Sequence, residues 1–177
     1  MKTQPGESYE YFIEQYKELH NTRYTSGYKI SPLYGTRDTV KPVLEKYNCK
    51  TVLDFGCAKA AQWKEGNLQE YFELDEVVLY DPAIEEYSEY PSGTFDAVIC
   101  TDVMEHIPED SVDYVIEQVL DKATKLVIFR IAISESQAVL PDGQNAHVTV
   151  QNSPWWRERI AKFKRDGLAI EVNRVIV

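Results

Sequence analysis

Carboxylates recur in this chain at the ends of apolar runs, where small residues follow them. Asp54 stands one residue before the end of the run Lys-Thr-Val-Leu-Asp-Phe (50–55), which leads into Gly56 and the small residues Cys57, Ala58, Ala60 and Ala61. Small residues let a ligand approach the backbone, so an acid beside them is placed to meet its polar groups. Asp81 ends the run 76–80 and lies 25 residues beyond Gly56. That spacing suits an acid at the tip of the next parallel strand, within reach of a ribose diol. A third group, Asp102, Glu105 and His106, lies just past the apolar run 95–100. His106 has two readings: a base that takes a proton from a hydroxyl or amine, or a brace bonding a backbone carbonyl or Glu105. The spacing of these three matches no metal-ligand motif, so no metal is expected. Asn145 and His147 are the polar candidates of a later loop; His147 is read as a second base or as a bond across that loop.

Elements must bring these residues together. Apolar runs at 50–55, 76–80, 94–101 and 124–133 read as strands, and the last three residues of Ala-Val-Ile-Cys (97–100) complete a stretch apolar on both faces. Arg130 inside the fourth strand either marks its end or pairs with an acid. Residues 60–74 read as a helical segment interrupted near Gly66. Pro108, Glu109 and Asp110 start a helix whose stripe is Val112, Val115, Ile116, Val119 and Leu120. A long loop, 134–152, follows the fourth strand and overhangs the same edge as Asp54 and Asp81. Ser153 reads as an N-cap with Pro154 at the first helical position. Trp156, Ile160 and Phe163 then face the sheet, and Arg157, Arg159, Lys162, Lys164 and Arg165 form a solvated basic face. After Gly167 comes one strand or a tight hairpin. Ahead of the sheet, 9–20 reads as an amphipathic helix, 21–37 as irregular with Ser26-Gly27, Pro32 and Gly35 as breakers, and 38–47 as a second helix.

Three stretches carry a resemblance to a known family: Val-Leu-Asp-Phe-Gly-Cys-Ala (52–58), Val-Leu-Tyr-Asp-Pro (78–82) and Phe-Asp-Ala-Val-Ile-Cys-Thr-Asp-Val-Met-Glu-His-Ile-Pro (95–108). In their order they resemble the successive signatures of class I S-adenosylmethionine-dependent methyltransferases. The Asn-x-His run at 145–147 followed by Pro154-Trp155-Trp156 is similar to a small group of bacterial and phage methyltransferase-like proteins. The resemblance implies an α/β, Rossmann-like doubly wound sheet, abbreviated to about five or six strands, with an N-terminal helical cap. It implies S-adenosyl-L-methionine as cofactor, held by Asp54, Gly56, Cys57, Ala58, Asp81, Pro82, Thr101, Asp102 and Glu105. It places acceptor-side roles on Tyr34, Arg37 and Asn145, with Tyr24 and Tyr28 as further wall residues, and proton transfer on His106 or His147. Cys57 sits where the family commonly has a cysteine and reads as a small packing residue. Two departures stand out. Ala58 and Ala60 occupy positions where the family has glycine, and each added methyl strains a positive φ. Only 13 residues separate Asp81 from Phe95, too few for a helix and a further strand.

Composition bounds the partners. The chain has 177 residues, 44% of them hydrophobic and 27% charged, which suits a single domain with a real core: a cap (1–49), a cofactor half (50–133) and an acceptor side (134–177). A net charge of −10 opposes a phosphate backbone, which leaves a small-molecule or protein acceptor. Absence of an Asn/Asp-Pro-Pro-Tyr run also weakens methylation of DNA bases. Cys49, Cys57 and Cys100 have no ligand spacing and read as reduced thiols of a cytoplasmic protein. No membrane contact is expected, because no apolar run approaches the roughly 20 residues of a span. The alternative to an enzyme is a cofactor-binding but noncatalytic domain serving as sensor, scaffold or interaction module.

Overall fold

The computed structural model describes residues 3–22 and 32–177. The order of elements is α1 (Tyr9–Thr22), α2 (Pro32–Lys46), β1 (Thr51–Phe55), α3 (Ala61–Lys64), α4 (Leu68–Tyr71), β2 (Glu76–Tyr80), β3 (Phe95–Thr101), α5 (Val112–Asp121), β4 (Ala123–Arg130), α6 (Ser153–Ala161), β5 (Ala169–Val172) and β6 (Val175–Ile176). The fold is α/β. Its six strands form one sheet in the order β2-β1-β3-β4-β5-β6, parallel throughout except for the terminal β5–β6 hairpin.

Successive side chains of a strand point to opposite faces, and the central strands are apolar on both. Leu53, Phe55, Val98, Cys100, Val127 and Phe129 meet α5, Trp156 and Ile160 of α6, and Tyr9 of α1. On the other side Val52, Ala97, Ile99, Leu126 and Ile128 meet Leu33, Val40 and Leu44 of α2 and Leu68 of α4. A helix layer therefore covers each face, which is what an all-apolar parallel strand requires. The chain runs from β1 outward to β2, then returns to lay β3 on the other side of β1. At that reversal the loops leaving β1 and β3 diverge, and a crevice opens at the carboxyl edge. Between β2 and β3 the chain makes only a 3₁₀ turn, Glu85–Tyr87.

Several boundaries differ from the sequence reading. Helix α2 begins at Pro32, six residues before the expected start, and so runs through Gly35 and places Pro42 in its interior. A helical glycine costs about 1 kcal/mol and an internal proline removes one bond. Burial of Leu33, Val40 and Leu44 against the sheet offsets both. Ser26-Gly27, Tyr24 and Tyr28 lie outside the described residues. Asn152, not Ser153, is the N-cap of α6: its side chain accepts from Trp155 N at 2.9 Å, and Pro154 follows within the first turn. Strand β4 stops at Arg130, not Ile133, because its partner β3 turns away after the Thr101–Arg130 pair, at Asp102 with φ +53°. Among the described residues no helix is long and apolar enough to cross a membrane.

Candidate functional site

A cavity of about 330 Å³ lies at the carboxyl edge of the sheet, within the size range of small-ligand sites. Its floor is the loops leaving β1 (54–62), β2 (81–83) and β3 (101–103). Tyr9, Ile13 and Tyr16 of α1 form one wall, and Ala138, Ala146 and His147 of the loop after β4 form another.

The loop after β1 holds a left-handed backbone at three positions: Gly56 at φ +84°, Ala58 at +47° and Ala60 at +55°. The two alanines thus keep a conformation that favours glycine, at about 1–2 kcal/mol each. Neighbouring bonds over-determine it. Ala58 N donates to Asp81 Oδ2 at 2.9 Å, Gly56 N to Tyr80 O at 2.7 Å and Ala60 N to Cys57 O at 2.9 Å. Gly56 is fixed by space as well as φ, since a Cβ there would stand 2.2 Å from Val103 Cγ2. Cys57 is buried, and burial pushes its thiol far above the ordinary value, so it packs rather than reacts.

Both strand-end acids are buried against the cavity. Asp54 Oδ2 accepts from Gln62 Nε2 at 2.9 Å and Trp63 Nε1 at 2.6 Å, which ties β1 to α3. Burial raises its carboxyl from 3.8 to about 6, partly countered by those two bonds. Asp81 accepts from Ala58 N through one oxygen and Ala83 N, at 2.9 Å, through the other; burial raises it too. Thr101 Oγ1, at the end of β3, is buried beside the cavity without a hydrogen-bond partner. Asp102 and Pro82 also line the cavity, and burial raises the Asp102 carboxyl.

The far wall is built around Ala146. Its carbonyl accepts from Tyr16 Oη at 2.7 Å and pairs with His106 Nδ1 at 2.6 Å. A carbonyl only accepts, so Nδ1 of His106 carries the proton and Nε2 keeps its lone pair. Burial holds His106 down to about 4, so the ring is neutral at pH 7. His147 repeats the pattern, with Nδ1 2.6 Å from Ser134 O, and its ring lies edge-on to that of His106 at 4.9 Å between centroids. Thr149 fastens the loop to the turn 104–106, donating its N–H to Glu105 O at 3.0 Å and its hydroxyl to Ile107 O at 2.7 Å.

Not every sequence candidate reaches the cavity. Glu105 is fully buried behind the wall, where Oε1 accepts from Ala132 N at 3.0 Å and burial raises its carboxyl to about 8. Tyr34 and Arg37 lie outside the lining, with the Arg37 guanidinium 4.2 Å over the Tyr34 ring and donating to the Tyr34 carbonyl. Asn145 braces its own loop, bonding Ser136 through both ends of its amide and taking His147 N on Oδ1. In their place the structure brings in Tyr9, Ile13, Tyr16 and Leu33. The helical period of 9–20 identified the first three as a packing face, but a buried face and a cavity wall share one sequence pattern. Compared with family profiles, with curated proteins and with solved structures, the chain matches none.

Proposed function

We propose that the protein binds S-adenosyl-L-methionine in this cavity and transfers its methyl group to a small-molecule or protein acceptor. In this reading the sheet is a shortened Rossmann-like fold, and the protein is cytoplasmic, in keeping with three free, buried thiols. One observation carries the proposal: the Asp81 carboxylate lies in the cavity and bonds the N–H of a left-handed residue in the first loop. An acid at the tip of the second strand, joined to a tight small-residue turn at the tip of the first, suits a nucleoside diol beside a closely approaching chain. The partnerless Thr101 Oγ1 supplies a further unmet polar group for such a ligand. The residues present therefore fit the cofactor.

When bound, S-adenosylmethionine supplies a methyl group already activated on a sulfonium, so displacement needs no covalent help from the chain. What remains for the protein is orientation, worth several kcal/mol of barrier, and exclusion of water. Asp81 keeps lone pairs for ribose hydroxyls, while Asp54 acts at one remove by fixing Gln62 and Trp63. Tyr9, Ile13 and Tyr16 roof the cavity. Nε2 of His106 or His147 would accept the proton of a hydroxyl or amine acceptor.

A second reading, a binding domain without catalysis, draws on the low basicity of His106, which makes it a weak general base. Titration calorimetry decides the shared premise. S-adenosylmethionine and S-adenosylhomocysteine should bind in the micromolar range, and Asp81→Ala should weaken both by roughly tenfold or more. A folded wild-type protein that binds neither would overturn the proposal. Given binding, formation of S-adenosylhomocysteine with an acceptor panel separates enzyme from binding domain.

A further inference from the structure

Glu105, His106 and His147 come from two segments of chain, yet one donor atom of each lies within 4.8 Å of the other two. We propose that these three side chains bind a divalent transition-metal ion of the zinc class in the wall of the cavity.

The chemistry of each donor fits. Both histidines give Nδ1–H to a backbone carbonyl, Ala146 O and Ser134 O, each at 2.6 Å. That outer bond fixes the tautomer, orients the ring and leaves the Nε2 lone pair for a ligand, the arrangement metal-bound histidines use. Glu105 Oε1 is held by Ala132 N, whereas Oε2 is fully buried and has no hydrogen-bond partner. Among the described residues Glu105 forms no ion pair either. A buried carboxylate oxygen with no donor is expensive to desolvate, and a cation placed between it and two imidazole lone pairs would satisfy all three.

The scaffold is already assembled. Glu105 and His106 share one 3₁₀ turn, and the Thr149 bonds to Glu105 O and Ile107 O hold the His147 loop against it. Donors at about 2.0–2.2 Å around one tetrahedral ion sit about 3.4 Å apart. Small side-chain rotations close the observed separation. Two imidazoles and one carboxylate suit Zn2+, Fe2+ or Co2+, whereas Ca2+ and Mg2+ prefer oxygen throughout. Both histidines line the cavity, so the remaining coordination position faces it and would take an oxygen or nitrogen of a small ligand. The sequence alone hid this set, because His147 follows Glu105 by 42 positions.

The test uses the full chain, stripped with chelator and titrated with Zn2+ under equilibrium dialysis, with Co2+ as a spectroscopic probe. We expect one zinc per chain and ligand-field bands of a His/carboxylate site with Co2+. Glu105→Gln keeps the Ala132 bond but weakens the metal ligand, and His147→Ala removes a donor from a half-exposed loop. Each should lower zinc affinity by about 100-fold, while Asp54→Asn, a change at a β1 carboxyl outside the three-donor set, should leave it unchanged. Circular dichroism establishes that each variant is folded; should Glu105→Gln fail to fold, His147→Ala decides. No stoichiometric zinc, or zinc bound equally well by the folded variants, overturns the proposal. Neither readout involves S-adenosylmethionine, so the result is independent of cofactor binding; a bound metal would, however, occupy the Nε2 lone pairs otherwise assigned to proton transfer.

Discussion

Asp54, the penultimate residue of β1, and Asp81, the first residue past β2, use their carboxylates differently. Asp54 takes the side-chain donors of Gln62 and Trp63 on one oxygen, whereas Asp81 takes one loop N–H on each oxygen and keeps a lone pair on both. Because burial raises Asp54 from 3.8 to about 6, its charge opposes folding. The contribution is present below pH 4 and is lost as pH rises through 6. Asp54→Asn preserves an acceptor for both donors and removes the titration. The stability of wild type relative to this variant should therefore fall by roughly 2–3 kcal/mol between pH 4 and 7 in urea titrations; a flat difference would show that Asp54 is not held neutral. Gly56 offers a steric counterpart. Gly56→Ala meets Val103 at 2.2 Å and strains φ +84°, so a loss of about 2–4 kcal/mol is expected. Val103→Ala in the same chain should restore part of it by clearing the contact, and no recovery would assign the whole loss to the backbone.

At the scale of elements, β4 and β5 are joined by a buried ion pair as well as by their ladder. Arg130 Nη2 meets Glu171 Oε1 at 2.5 Å, with both side chains under a tenth exposed. Breaking such a pair from one side leaves an uncompensated charge, whereas replacing both partners with apolar groups is often neutral. Glu171→Leu should cost about 3–5 kcal/mol, and Arg130→Met with Glu171→Leu should recover most of that. Equal losses in the single and double variants would mean that the pair contributes shape rather than charge. The pair also resolves the two sequence readings of Arg130: it ends the strand and pairs with an acid.

For the whole molecule, charge decides which partners are plausible. Two of the five residues of the basic face expected on α6 and just beyond it are paired with acids of α5 and the turn before it: Arg159 meets Asp113 at 2.5 Å and Glu109 at 3.7 Å, and Arg165 meets Asp121 at 2.6 Å. With a net charge of −10 and two of those five cations paired, the chain opposes a phosphate backbone. Fluorescence anisotropy of labelled duplex DNA should stay unchanged up to micromolar protein at physiological salt. Saturable, salt-sensitive binding would require a basic surface assembled in some other way.

Local pattern determined a good deal on its own. The apolar runs at 50–55, 76–80 and 94–101 carried the strands to within a residue, and the stripe from Val112 to Leu120 carried α5, because strand and helix periods are properties of neighbouring residues. Asp54, Gly56, Asp81 and Thr101 could be placed at strand ends for the same reason, and the parallel order then gathers strand ends at one edge. Tertiary structure alone decided the rest. Pro32 and Gly35 argued against helix at 32–37, yet sheet contacts hold one there, since burial outweighs a local preference of a few kcal/mol. Ala58 and Ala60 signalled that a left-handed turn would be strained, but whether the chain would keep that turn depended on bonds from Asp81, more than 20 residues away. Tyr34 and Arg37 turned away from the cavity, Tyr16 turned into it, and His147 came to rest beside His106 and Glu105. Such meetings depend on how α1 and the loop after β4 close over the sheet, and no window of sequence contains both sides of the contact.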